Sequence, residues 1–547
     1  MKLLKVPQED EITLDMRVNG MTGDKKYYIT SPIYYVNDVP HIGHAYTTLA
    51  CDVIARFKRL DGFEVHFLTG TDEHGQKVEK SASAAGIHPQ EFTDRVSKNF
   101  QDLAVSMNFS NDDFIRTTEK RHIIAAQAIW KKLKDNGHIY LGSYEGWYAV
   151  RDEAFYDESE LTELEGGGKV APSGAEVEWV EEPSYFFNLS EWQEPLLNFY
   201  QENPDFIAPK SRRNEVISFV KGGLRDLSIS RTSFKWGVPV PDDTDHIMYV
   251  WLDALTNYIT AVGYPVEDKS FSKWWPANLH MVGKDILRFH AVYWPAFLMG
   301  AGMDIHKRVF AHGWWTNEGK KISKSVGNII EPNEIIETYG LDQVRYFLLR
   351  EVPFGNDGDF SRRAMMNRIN GDLANDLGNL CQRVLSMVNK NCGGKIPNYE
   401  EETIRDFPVF QTLKEAYSLL PKIREKIDKQ AFHEALEEVW RIIRNANQTI
   451  DEAAPWSLKK TNPQGMENVL YTLMEVIRLF AIILQPFMPD ASSKILDQLS
   501  VDLENRNFSF IGPPPNLDLL SEFALKPDTI LPKPEGVFPR FLESSKQ

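Results

Sequence analysis

Two short motifs carry side chains that could do chemistry together. The first is His41-Ile42-Gly43-His44, which follows a strand-like run and opens a helix-like one. A helix N-terminus presents unpaired N–H groups and a positive dipole end, which favours phosphate. Gly43 lacks a Cβ, so a flat ligand such as adenine can approach the backbone. The two histidines can donate hydrogen bonds to phosphate oxygens. The second motif is Lys321-Ile322-Ser323-Lys324-Ser325, in a loop of small and basic residues in the middle of the chain. Lys321 and Lys324 can neutralise a triphosphate, and displacement at phosphorus rests mainly on positioning and charge stabilisation. Taken singly, each motif has a plainer reading: incidental histidines at a helix start, and a solvated lysine loop. No Gly-x-x-x-x-Gly-Lys-Ser/Thr phosphate loop is present, so a nucleotide must be held another way.

Positioning such groups needs a rigid frame. Tyr27-Tyr28-Ile29-Thr30 has the aromatic and β-branched content of a strand. Ala45, Leu49, Val53, Phe57 and Leu60 then recur at helical spacing, Gly62 stops the helix, and Val65 to Thr69 reads as a second strand. Strand, helix, strand at this spacing is a βαβ unit and predicts a Rossmann-type parallel sheet in an α/β domain. Residues 117–225 are rich in turns and glutamate and read as an inserted domain that splits the sheet in sequence. The alternation resumes with Tyr249 to Tyr258 and with His280 to Trp294, and the ligand crevice should lie at the carboxyl ends of the strands. Further on, apolar stripes such as Ile369, Leu373, Leu377, Leu380, Val384, Met387 predict a helical bundle. The resulting division is 1–25 extension, 26–116 first half of the catalytic domain, 117–225 insertion and 226–310 second half. A motif-bearing region at 311–360, a helical domain at 361–504 and an extended proline-rich tail at 505–547 complete it.

The bulk properties fit this plan. A chain of 547 residues exceeds one ordinary core and points to roughly three or four structural units. A net charge of −17 argues against coating nucleic acid by bulk charge and leaves room for a local basic face. Cys51, Cys381 and Cys392 show no paired spacing, as in a reducing compartment. The start resembles neither a transit peptide nor a secretory leader. Val469 to Leu484, the most apolar stretch, is interrupted by Glu475 and Arg478 and reads as a buried helix, not a membrane span. These features predict a cytoplasmic protein.

In their order, the two motifs resemble the HIGH and KMSKS signatures of class I aminoacyl-tRNA synthetases, with Ile322 in place of methionine. Five further segments resemble the methionyl-tRNA synthetase family: Ser31 to Asn37, Thr69 to Gly75, Tyr249 to Ala254, Gly283 to Ile286 with Phe289-His290, and Ala311 to Trp314. The resemblance runs from about residue 26 to about residue 490. It implies a methionine–tRNA ligase using ATP, L-methionine and tRNA(Met), initiator tRNA included, with Mg²⁺ arriving on ATP. It further implies a methionine site formed by Tyr35, Trp251, Leu255, Tyr258, Ile286, His290 and Trp294, with Tyr35 and His290 facing the sulfur and Asp72, helped by the Ile33 backbone, pairing the ammonium. An apolar, aromatic box with a weak polar contact suits an unbranched thioether. On spacing alone these stripes read as core packing, and Asp72 could equally be a helix cap. By the same resemblance Gly283 and Asp285 meet the ribose and Arg231 the pyrophosphate or the activated carboxylate. Arg231 reads otherwise as a surface ion pair.

The resemblance also implies that the bundle reads the anticodon through Asn379, Arg383 and Trp456. Unstacked loop bases are the usual target of such side chains, although the same residues could be a helix-face ion pair and a core tryptophan. Residues 117–225 contain no cysteine, which predicts a zinc-free insertion with a metal-less hairpin region from Tyr156 to Phe187. The insertion is too short for an editing domain, and the chain is expected to be a monomer. The rival functions are a class I synthetase of another apolar specificity and a non-charging tRNA-binding paralogue.

Overall fold

The computed structural model describes residues 25–36, 39–152, 154–164, 167–266, 268–322, 328–400, 403–512 and 523–542. Strand Lys26–Tyr35 lies at the centre of a six-stranded sheet, flanked by Glu64–Asp72 on one side and Leu279–Gly283 on the other. Asp113–Arg116 extends the first side, and Val309–His312 followed by Ile207–Ala208 extends the second. Every pairing is parallel. The order reverses beside the central strand, which is where an open parallel sheet opens a crevice at its carboxyl edge. Helix Ile42–Leu60 crosses from the first strand to the second, and its Ala45, Leu49, Val53 and Phe57 are fully buried. Gly62 adopts φ +78°, the left-handed conformation that lets the chain turn out of the helix.

The insertion is less separate than its composition suggests. Its long hairpin pairs Ile139–Ala149 with Glu178–Phe187 in an antiparallel sheet whose base, Ile139 and Phe187, packs into the core of the catalytic domain. Ile207–Ala208 belongs to the parallel sheet, and Lys120–Asp135 packs against helix Val250–Thr260. Residues 117–225 therefore also complete the catalytic domain. A two-residue edge strand is too short for periodicity to reveal.

From Arg362 to Gln498 the described residues are mostly helical, as the apolar stripes predict. Helix Pro463–Leu484 forms the bundle axis and is buried from Asn468 to Leu484. The two charges within that buried stretch neutralise each other: the Arg478 guanidinium donates to Glu475, which also accepts from the Tyr417 hydroxyl at 2.9 Å. Among the described residues no helix is long and apolar enough to cross a membrane. Arg345, fully buried, joins the two halves. It donates to Asp52 of the Ile42–Leu60 helix at 2.6 Å and to the carbonyls of Met107, Pro486 and Phe487.

The expected extended tail is corrected in one respect. Residues 523–542 are extended but strapped to the bundle. Leu525 O accepts from Tyr471, Ile396 donates to Thr529 O, and Phe541 exchanges two bonds with the Asn370 amide. A proline-rich chain satisfies little of its own backbone, so side chains of the bundle and the backbone of Gly394 and Ile396 do so.

Candidate active site

His41 caps the Ile42–Leu60 helix. Its Nδ1 accepts from the Gly43 N–H at 3.0 Å, while its own backbone N–H donates to His44 Nδ1 at 3.1 Å. Both rings are thereby fixed as neutral tautomers carrying hydrogen on Nε2, the nitrogen left to donate elsewhere. The rings stack at 3.9 Å. Burial lowers the pKa of His41, and burial together with its neighbour His41 lowers that of His44 well below the usual value. A Cβ on Gly43 would meet the His41 ring at 2.9 Å, so the glycine makes room for the cap itself.

These histidines form one wall of a cleft of about 650 Å³. Gly43, Gly283 and Asp285 line it on the same side, and Asp285 lies close enough to His41 to act on its charge. Ile33, Tyr35, Asp72, Trp251, Leu255, Tyr258, Ile286 and His290 line the remainder. Asp72 ends the second strand, opposite Tyr35, and is not a helix cap. Trp251 stacks on Phe289 at 3.6 Å, and Tyr258 stacks on His280 at 4.2 Å, so the aromatic wall is itself backed by rings.

Two expectations meet a different geometry, and the third residue, His290, lines the cleft with both ring nitrogens engaged. Its Nδ1 donates to Ile286 O at 3.0 Å, so Nε2 accepts from the Tyr258 hydroxyl at 2.7 Å. Burial pushes its pKa down to about 4. Trp294 does not reach the cleft: it is fully buried, in a run from Trp294 to Leu298 with no open face, and packs on Tyr258 and Trp275. Arg231 also stays outside the lining. It is buried beneath Tyr148 and Tyr249, 3.8 Å from Glu182, because its short strand abuts the inserted sheet.

Lys321 lies in strand Lys320–Lys321, which pairs with Trp315–Asn317. Lys324 lies outside the described residues. Ile322 borders the cleft, so the hairpin carrying the second motif reaches the site. On the bundle, Asn379 and Arg383 share one face of helix Asn379–Asn391. Arg383 pairs with Asp451 at 2.5 Å and lies 5.8 Å from the ring of Trp456, which is 49% exposed.

Sequence reasoning missed several lining residues. Arg151 and Asp152 reach the cleft from the insertion, and Lys77 lies over the Tyr35 ring. Thr47 sits one turn into the first helix and meets His312 Nε2 at 2.7 Å. Trp314 bonds Asp285. Only His312 and Trp314 had a signal, since they lie at and just beyond a strand end at the sheet's carboxyl edge.

Comparison with known proteins agrees with this geometry. Residues 27–385 match the family model for class I (M) tRNA synthetases, and residues 397–511 match the anticodon binding domain of methionyl tRNA ligase. The chain is 58% identical over 517 residues to a methionine–tRNA ligase of Rickettsia bellii, covering 94% of this chain and 99% of that one. It is 54% identical over 519 residues to that of Mesorhizobium japonicum, covering 95% and 98%. The Mycobacterium tuberculosis methionyl-tRNA synthetase in complex with methionyl-adenylate superposes with a TM-score of 0.90 at 50% identity, covering 94% of this chain and all of that one. Capped histidines, parallel-sheet crevice, aromatic chamber and helical bundle thus occur together with full-length similarity, and the chain belongs to the class I methionyl-tRNA synthetases.

Proposed function

We infer that the protein ligates methionine to tRNA(Met), initiator tRNA included, in two steps within this cleft. A methionine carboxylate oxygen attacks the α-phosphorus of ATP, the bond to the bridging oxygen breaks, and pyrophosphate leaves. A hydroxyl of the 3′-terminal adenosine of tRNA then attacks the carbonyl carbon, and AMP leaves as the ester forms. No covalent enzyme intermediate is required. The observation that carries this reading is the pair of neutral histidines, held by the helix cap in one cleft with an aromatic chamber and a buried carboxylate. Their Nε2–H groups donate to phosphate oxygens as charge builds there, and the helix N-terminus adds its own donors.

Asp72 would pair the substrate ammonium at the chamber's edge. Tyr35, Trp251, Leu255, Tyr258 and Ile286 would enclose the thioether, with His290 acting through Tyr258. Asp285 and Gly283 would hold the ribose, and Lys321 and Lys324 the phosphates. Mg²⁺ would be held chiefly by the triphosphate. Asp72, Asp152 and Asp285 line the cleft, but among the described residues no three ligand-type side chains converge. The bundle face of Asn379, Arg383 and Trp456 would receive the anticodon bases. ATP–pyrophosphate exchange with each of the twenty amino acids tests the specificity. Methionine should drive exchange, and failure of methionine where another amino acid succeeds would overturn the reading.

The insertion is proposed to need no zinc. In place of metal ligands its tip closes Ala149, Ala171 and Ala175 against Tyr156 and Val177. Arg151 donates to Ser173 O at 2.7 Å and Tyr156 to Asp152 at 2.9 Å. Metal analysis of purified protein should find no zinc, and one equivalent would contradict this.

A further inference from the structure

Asp285 leaves the carboxyl end of strand Leu279–Gly283 and faces the cleft. Its Oδ1 accepts from the Trp314 indole N–H at 3.0 Å. Trp314 is held from two further directions. Its backbone N–H donates to Asp357 Oδ1 at 2.8 Å, and the Lys284 ammonium lies 4.2 Å from the ring centre. Lys284 in turn reaches both Asp357 oxygens, at 2.7 and 2.6 Å. Trp314, Asp357 and Lys284 thus close on one another, and Asp285 is tied to this group through the indole N–H. A Cβ on Gly283 would come within 2.5 Å of Asp285 Oδ1, so this placement of the carboxylate also requires that glycine.

Core packing does not account for the arrangement, because Trp314 is 44% exposed. The terminal torsion of an aspartate is broad and nearly two-fold, so an unanchored carboxylate presents either oxygen at varying angles. An anchored Oδ1 leaves Oδ2 in one direction.

We propose that Trp314 is a positioning residue for nucleotide recognition: by occupying Asp285 Oδ1 it aims Oδ2 at a ribose hydroxyl. This rests on the reading above that Asp285 meets the ribose. Trp314 also immediately precedes strand Trp315–Asn317, the partner of Lys320–Lys321. The ribose acceptor and the hairpin that carries the motif lysine are therefore built on one framework.

The test is ATP–pyrophosphate exchange with ATP, 2′-deoxyATP and 3′-deoxyATP, comparing wild type, Asp285→Ala, Trp314→Phe and Trp314→His. In the wild type one deoxynucleotide should be the poorer substrate. Asp285→Ala should abolish that preference. Trp314→Phe should reduce it roughly tenfold through a higher KM for ATP, with kcat and the KM for methionine little changed, since one charge-assisted hydrogen bond is lost. Trp314→His, which keeps a ring N–H, should restore part of it. A preference lost in Asp285→Ala but kept in Trp314→Phe would overturn the proposal alone. A preference kept in Asp285→Ala would overturn the ribose reading beneath it. A uniform fall in kcat in Trp314→Phe with the preference unchanged would mark a merely structural role and also overturn it.

Discussion

In the cleft, His41 and His44 are held in one geometry before any substrate arrives. Each Nδ1 accepts a backbone N–H, the rings stack on each other, and burial keeps them neutral. On the bundle, Arg383 and Trp456 meet at the surface, where Arg383 holds Asp451, itself largely exposed, and lies over a half-exposed indole. The first arrangement suits a charge that develops in a transition state, which requires donors that do not reorganise. The second can exchange a solvent-facing partner for a base at small cost, because exposed ion pairs contribute little. In the proposed roles, one chain therefore pairs a preorganised site for chemistry with an adaptable one for reading.

The largest effect should come from breaking the joint between these regions. Arg345→Met leaves Asp52 buried without its main counter-charge and frees three buried carbonyls. Removing one partner of such a pair costs about 3–5 kcal/mol. Equilibrium unfolding should show that loss of stability, and a change within experimental error would refute the joint.

Next comes the locked pair. His44→Ala removes one Nε2–H donor and unmakes half of the helix cap. Loss of a transition-state donor lowers kcat by roughly 100- to 1,000-fold. The fall should appear in pyrophosphate exchange with the KM for methionine little changed. A larger change in KM than in kcat would move His44 from the chemistry to ground-state binding.

A pH series sharpens the contrast in burial. The folded pKa of His290, about 4, lies below the usual 6.5. The unfolded chain therefore takes up the proton first as pH falls, and the stability contributed by the neutral ring is complete above pH 6.5 and lost towards pH 4. His290→Gln should flatten that part of the stability profile, as read by thermal unfolding between pH 4 and pH 7. An unchanged slope would show that other groups account for it.

Much of this was legible in the sequence, for reasons that differ from element to element. The first helix was readable because Ala45, Leu49, Val53 and Phe57 face one core, and the motif histidines sit at its start. The bundle was readable from its stripes. Trp294 illustrates the limit: spacing assigns a residue to a helix face but not to a depth, and this turn of the helix is covered all round. The roles of the His290 nitrogens depend on Tyr258 and on a carbonyl one turn away. The bond between Asp285 and Trp314 spans separate strand ends, and Arg151 and Asp152 arrive through the fold of the insertion. Contacts of this kind have no local pattern to reveal them.

The separation between the two regions is tested most directly by one substitution read in two assays. Trp456→Ala removes a stacking surface, and base–aromatic stacking is worth about 1–3 kcal/mol. Charging of tRNA(Met) should fall roughly 10- to 100-fold, while methionine-dependent pyrophosphate exchange stays near the wild-type rate. Equal losses in both assays, or no loss in charging, would contradict the division of labour between cleft and bundle.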